Sequence, residues 1–283
     1  MPPTPLSAAF PSEASRTLAA GLAEWIWFGR TQASACLFGA LLLSGILATQ
    51  FWPSPFGLTR GDFLFLYSIS LQAALLALRL EHRREALVIT AFHLLATLME
   101  WFKTSPAIGS WRYPEEGVFF QIFGVPLFAG FLYSAVGSYI ARASRLFEFR
   151  FTGYPPQGWT VTLAALAYGN FFTHHFGPDL RWLLIGASFW MFGRCWIEFR
   201  TGVRTRRMPL LLGLALVTLF IWIAENVGTY AQAWIYPSQE HGWRLVGLGK
   251  LSAWYLLMLL SFVLVSLMER RGDAQKSETL TEN

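Results

Sequence analysis

Apolar runs bounded by charge, proline or glycine recur eight times along the chain. They cover Ser34 to Trp52, Asp62 to Leu80, Ala86 to Phe102, Val118 to Arg142, Trp159 to Phe176, Leu180 to Phe199, Pro209 to Thr229 and Leu248 to Met268. Most approach the roughly 20 residues with which an α-helix crosses about 30 Å of hydrocarbon. The pattern predicts an all-α polytopic membrane bundle of about eight transmembrane helices over residues 34–268. A tight turn at Gly177 and Pro178 leaves open a re-entrant pair for the fifth and sixth runs. In residues 1–33, Pro2, Pro3, Pro5 and Pro11 stand where a cleaved signal would carry a basic start and an apolar core. Leu18, Leu22, Trp25 and Ile26 would share one face of a helix lying in the membrane interface. Residues 269–283 are polar, lack apolar periodicity and read as a disordered tail.

Composition agrees. Of 283 residues, 54% are hydrophobic, 17% aromatic and 14% charged, against about 25% charged in soluble domains. A water-soluble fold is close to excluded. Fifteen of the 22 Lys and Arg residues fall on one side if the N-terminus is cytoplasmic, and five on the other. Basic residues accumulate at the cytoplasmic ends of membrane helices, so both termini are expected inside. The net charge of +5 is then a matter of topology and anionic lipid, and nucleic acid is not an expected partner. Cys36 and Cys195 each lie in an apolar stretch, too few for a disulfide framework or a cysteine metal site.

A motif occurs twice. Glu100 is followed by Trp111-Arg112-Tyr113-Pro114, and Glu225 by Trp234-Ile235-Tyr236-Pro237, with separations of 125 residues at Glu and 123 at Trp. The spacing predicts a four-plus-four tandem repeat with halves 34–142 and 159–268, related by an axis along the membrane normal. Ionisable side chains inside a membrane are costly and mark candidate function. His93, Thr97, Glu100 and Thr104 share one face of the third helix. Asn170, His174 and His175 end the fifth, Glu225 and Asn226 lie in the seventh, and Lys250 opens the eighth. These residues converge toward the outer leaflet, with His93 and Asn170 nearer the midplane. Lys103 reads as a snorkelling side chain. Arg194 and Glu198, four apart, read as a local ion pair on the sixth helix. Gly130, Ser134 and Ser138 form a small-residue stripe for close helix approach, and Pro126 would kink the outer half of that helix.

The segments Glu100-Trp101-Phe102-Lys103-Thr104, Gly109-Ser110-Trp111-x-Tyr113-Pro114, Val125-Pro126-Leu127-Phe128 through Tyr139-Ile140, Ala224-Glu225-Asn226 and Trp234-x-Tyr236-Pro237 resemble the YoaT-like family of bacterial integral membrane proteins of unknown function. The resemblance runs from about Leu37 to Met268. It implies a multi-pass protein of the bacterial cytoplasmic (inner) membrane, and it carries no catalytic assignment. A membrane Glu followed by G-x-W-x-Y and a Val-Pro helix is also similar to carotenoid hydratases and small membrane lycopene cyclases. The cyclases' Pro-x-Glu pattern has no counterpart at membrane depth.

Three functions fit these residues. The first is an enzyme on a lipid or isoprenoid, with Glu100 as proton donor and Glu225 as base or electrostatic partner. His93, Trp111, Tyr113, Asn170, His174, Asn226, Trp234, Tyr236 and Lys250 would form the substrate-binding layer. A metal-dependent variant would use His93, His174, His175 and the two Glu, though no HxxxH or HExxH spacing supports it, and no cofactor is expected. The second is a proton-coupled small-molecule transporter using the same two carboxylates. The third is a non-catalytic scaffold with the polar layer as interhelical glue. Membrane lipid is the expected partner, and the oligomeric state stays open.

Overall fold

The computed structural model describes residues 13–52 and 55–281, with side chains described except at 13–19, 83–84 and 269–281. Among them are nine α-helices: α1 (Glu13–Ala35), α2 (Leu37–Phe51), α3 (Arg60–Ala77), α4 (Arg83–Thr104), α5 (Phe128–Leu146), α6 (Gln157–Thr173), α7 (Arg181–Phe192), α8 (Leu210–Tyr230) and α9 (Lys250–Thr281). Five short strands accompany them: β1 (Gln121–Ile122), β2 (Val125–Pro126), β3 (Arg150–Thr152), β4 (Trp196–Thr201) and β5 (Arg204–Pro209). β1 and β2 pair as a hairpin, and β3, β4 and β5 form an antiparallel sheet in that order.

Three helices, α4, α8 and the Lys250–Met268 part of α9, are long and apolar enough to cross a membrane. α1 and α2, bent by 65° at their junction, make a fourth if they form one span. The chain is thus mostly helical with the character of a membrane protein. Three or four helices reach span length and apolarity where the apolar runs predict about eight, and the two small sheets depart from an all-α bundle. Around the perimeter, Leu94 and Leu98 of α4, Leu166 of α6, Trp182 and Trp190 of α7, and Leu216 and Phe220 of α8 stand exposed. Exposed large apolar side chains on four helices suit lipid rather than water.

The difference from the predicted spans is clearest at Leu180–Phe199. α7 has 12 residues, about 18 Å at 1.5 Å per residue, and ends at Phe192. The strand-favouring residues Trp196, Ile197 and Phe199 then follow, and this stretch pairs with β5, Glu198 standing opposite Arg207. Arg194 and Glu198 therefore do not lie four apart on a helix. Gly202, with φ +67°, closes the β4–β5 turn.

Pro126 also takes a different place. Phe123 and Gly124, both with positive φ, turn the β1–β2 hairpin. Pro126 ends the second strand and α5 begins unkinked at Phe128. At the far end, α9 continues as helix to Thr281 through the stretch that reads as a disordered tail. Extending an existing helix is far cheaper than nucleating one, and the tail holds good helix formers such as Glu269, Arg270, Ala274 and Gln275.

Interactions at the helix ends show that α2 to α9 alternate in direction, leaving a loop end and a sheet end. At the sheet end α1 lies across β4 and β5, where Glu24 pairs with Arg206 at 2.7 Å and Arg204 at 3.2 Å. Leu22, Trp25 and Ile26 of α1 are exposed together, as their shared face predicts, while Leu18 lies outside the described side chains. The small-residue stripe works as expected. His93 packs against Gly130, Phe92 against Gly137, and the Ser134 hydroxyl donates to the Ile89 carbonyl at 2.9 Å, drawing α5 onto α4.

Two acids anchor the loop end. Glu115 accepts the Arg60 and Gly61 N–H groups at the start of α3, both at 2.7 Å, and Asp62 accepts Phe119 N–H at 3.1 Å and Phe120 N–H at 2.7 Å. The helix N-terminus thus satisfies its free donors with loop carboxylates and holds the α4–α5 connection in place. Arg60 ties this corner to the Ile46 carbonyl of α2 and the Ala231 carbonyl after α8.

Candidate functional site

Glu100 and Glu225 sit one turn from the loop-side ends of α4 and α8, each carried inward by its helix and each almost fully buried. A buried carboxylate needs donors, and the aromatic residues of the two W-x-Y-P loops supply them. Glu100 Oε2 accepts from Trp111 Nε1 at 2.8 Å and the Tyr113 hydroxyl at 2.7 Å, while Oε1 accepts from the Tyr133 hydroxyl of α5 at 2.6 Å. Glu225 Oε1 accepts from the Tyr236 hydroxyl and Oε2 from Trp254 Nε1 of α9. Each acid thus takes a tyrosine from the loop after its own helix and an aromatic donor from the helix that follows. Burial, and then the adjoining carboxylates, push the Tyr113 and Tyr236 hydroxyls well above the ordinary phenol range, which keeps both as donors.

The two loops also pair with each other. Arg112 N–H donates to the Ile235 carbonyl at 3.0 Å and Ile235 N–H returns the bond to Arg112 at 2.9 Å. These are the central residues of the two motifs. Reciprocal bonding between equivalent positions is what a local two-fold axis produces.

Two cavities adjoin this centre. One, of about 300 Å³, is almost wholly apolar and runs from Glu100 and Glu225 between the α1–α2 elbow, α5 and α8 toward Gln32 and Tyr139. The other, of about 410 Å³, lies toward α4, α6 and α9 and is bordered by Lys103, His174, Arg181 and Lys250. Trp111, Tyr133, Glu225, Tyr236 and Trp254 line both. Both volumes fall in the range of small-molecule sites. The Lys250 ammonium stands 4.1 Å from the Tyr236 ring centre and 5.6 Å from that of Trp111, within cation–π range.

The structure brings together Glu100, Glu225, Trp111, Tyr113, His174, Trp234, Tyr236 and Lys250 from the predicted set, and not the rest. His93 is two turns away, its ring tilted against that of Phe131 at 4.6 Å between centres, and borders neither cavity. Thr97 and Thr104 bond to carbonyls of their own helix. Asn170 closes the turn into α7, donating to Asp179 at 3.1 Å and accepting Leu180 N–H at 3.0 Å. Burial opposes the charge of Asp179, but the Asn170 amide, the Arg181 N–H and the Arg181 guanidinium together hold it below the ordinary carboxylate range. Asn226 likewise pins the loop before α9 by accepting Val246 N–H at 2.8 Å.

Four contributors escape the sequence reading. Tyr133 and Trp254 look like any aromatic residue on an apolar helix; their one signal is a place on the helix after each motif. Arg181 reads only as a loop charge. Lys103 is a correction, because it does not snorkel. It is 5% exposed, and its ammonium meets His175 Nε2 at 2.8 Å and His174 Nε2 at 3.4 Å. His174 Nδ1 faces the Asn170 carbonyl at 2.6 Å, which only accepts, so that nitrogen carries the proton and Nε2 is free to accept from Lys103. Among the described residues no three His, Cys, Asp or Glu side chains come together as a metal site.

Residues 24–262 match the family described as Protein of unknown function (DUF817). The chain is also 43% identical over 245 residues to Uncharacterized protein YoaT of Bacillus subtilis (strain 168), covering 87% of this chain and 91% of that protein. No solved structure matches.

Proposed function

The chain belongs to the family described as Protein of unknown function (DUF817), and from that premise we propose that it is a membrane-embedded enzyme acting on a lipid or isoprenoid by carboxylate acid–base chemistry. The observation that carries the reading is the placement of Glu100 and Glu225. The two are equivalent in the repeated motif, both are buried, and both line an apolar cavity walled by aromatic rings.

The roles divide by environment. Glu100 accepts three hydrogen bonds and borders the apolar cavity alone, which suits it to positioning Trp111, Tyr113 and Tyr133 and to supplying negative charge. Glu225 takes one donor on each oxygen and borders both cavities, so it is the acid that reaches substrate. This inverts the roles expected from sequence. In an alkene hydration, the proton of Glu225 forms the new C–H bond with the π electron pair, leaving a cation that the Trp111, Trp234 and Tyr236 faces shelter. Water adds to that cation and returns its proton to Glu225.

The proposal includes a topology. α2 to α9 make eight crossings of the bacterial cytoplasmic membrane, in two tandem halves of four over 34–142 and 159–268, with both termini cytoplasmic and the carboxylates toward the outer leaflet. The alternating helix directions and the Arg112–Ile235 pairing support this, with α7 and the β3–β5 sheet together covering the thickness of the sixth crossing.

The test is mass spectrometry of small molecules on protein purified in mild detergent, followed by turnover of what is found. Glu225→Gln should lower turnover about 10²–10⁴-fold while keeping the parent's melting temperature within a few degrees. Undiminished turnover in Glu225→Gln would refute the reading. A proton-coupled transporter is a second reading, favoured by the carboxylates' position where equivalent halves meet. It requires that activity depend on a sealed vesicle, whereas the enzyme works in detergent.

A further inference from the structure

The cavity on the α4, α6 and α9 side of Glu225 is lined by three cations that the proposed acid–base chemistry does not use. Lys103 comes from the end of α4, Arg181 from the start of α7 and Lys250 from the start of α9. Among the described residues no carboxylate lies within ion-pair distance of either lysine, and the Lys250 ammonium makes no hydrogen bond, meeting only the Tyr236 and Trp111 rings. Lys103 gives two N–H groups to neutral histidines and keeps a third. Arg181 is partly neutralised by Asp179 at 3.2 Å and donates to Ser252 Oγ at 3.1 Å. Glu225 is the one carboxylate on the cavity wall. Three cations thus face one carboxylate, and carrying that excess positive charge on the buried Lys103 and the half-buried Lys250 is costly, so an anionic ligand with several acceptor oxygens would offset the cost. Lysine suits phosphate as a point charge, and arginine as a fork.

We propose that this cavity seats the phosphate or diphosphate head of an amphiphile whose apolar chain lies in the adjoining cavity between the α1–α2 elbow, α5 and α8. The shared wall of Trp111, Tyr133, Glu225, Tyr236 and Trp254 places the carbons next to the head against Glu225. This deepens the reading of the site as an enzyme on a lipid or isoprenoid and rests on it for the chain's position. It requires only binding, and so it is separable from catalysis.

The experiment measures affinities of the full chain in detergent for farnesyl diphosphate, farnesol and inorganic pyrophosphate, with phosphatidic acid in nanodiscs as competitor. Farnesyl diphosphate should bind at least about ten-fold tighter than either farnesol or pyrophosphate. Lys103→Met and Lys250→Met should each erase most of the advantage over farnesol without changing farnesol binding. Competition by phosphatidic acid would identify a phospholipid as the source of the head, and its failure to compete an isoprenyl phosphate. Equal binding of farnesol and farnesyl diphosphate overturns the proposal. So does pyrophosphate as tight as the diphosphate ester, which would mean a site for a free anion. If Lys103→Met does not fold, Arg181→Gln supplies the same readout. Glu225→Gln separates the two ideas. It should retain the diphosphate preference, and if it also retains turnover, the acid–base reading fails while the anion seat stands.

Discussion

At Gly228, one turn after Glu225 on α8, the Trp234 indole occupies the space where a Cβ would stand. The glycine is what lets the second W-x-Y-P loop fold down onto its helix and aim Tyr236 at Glu225. Gly228→Ala should therefore cost about 1–3 kcal/mol through overpacking, read as a lower melting temperature in detergent. A variant as stable as the parent would show that the loop reaches the carboxylate another way. The sequence already marks Glu100, Glu225, Trp111, Tyr113, Trp234 and Tyr236, because a charge in an apolar run and a duplicated motif are both linear signals. The buried state of Lys103 leaves no such trace, and Tyr133 and Trp254 leave only their place on the helix after each motif. A side chain's partner depends on which helices become neighbours, and Asn170 and Asn226 illustrate the converse, being polar residues whose buried role is to close turns.

Among the elements, α1 combines an exposed apolar face with a tether, Glu24 to Arg204 and Arg206, that fixes it across the β4–β5 sheet. Trp25 is 74% exposed, and an amphipathic helix of this kind embeds about 5–10 Å into the headgroup boundary. With the other tryptophans replaced by Phe where tolerated, Trp25 fluorescence should be quenched by lipids brominated near the headgroup far more than by lipids brominated near the chain end. Equal quenching at both depths, or none, would remove α1 from the interface. The apolar face was legible from the spacing of Leu22, Trp25 and Ile26. The sheet that α1 rests on was not. A run of apolar residues reads alike whether it continues as helix or turns, as at Phe192, into a strand whose hydrogen bonds come from residues 204–209 and 150–152.

For the whole molecule, the proposed orientation rests on the imbalance of basic residues and on the alternation of α2 to α9. Val203, at the tip of the β4–β5 turn and 98% exposed, and His241, in the loop between α8 and α9, should lie on opposite sides of the membrane. In a cysteine-less background, a membrane-impermeant maleimide added to intact cells should label His241→Cys, and should label Val203→Cys only after lysis. The reverse would invert the topology, and labelling of both from outside would deny that α8 crosses. Length, apolar patterning and basic asymmetry are properties of single segments, since transfer into hydrocarbon acts on each helix by itself. They suffice for a helical chain of membrane character, and with the duplicated motif they point to its two buried acids. Where the strands form, which carboxylate faces both cavities, and that Lys103, Arg181 and Lys250 share one of them follow from long-range packing. Those facts depend on pairs of residues separated by up to 147 positions, as Lys103 and Lys250 are, and the cost of burying one charge is decided by what the others bring to it.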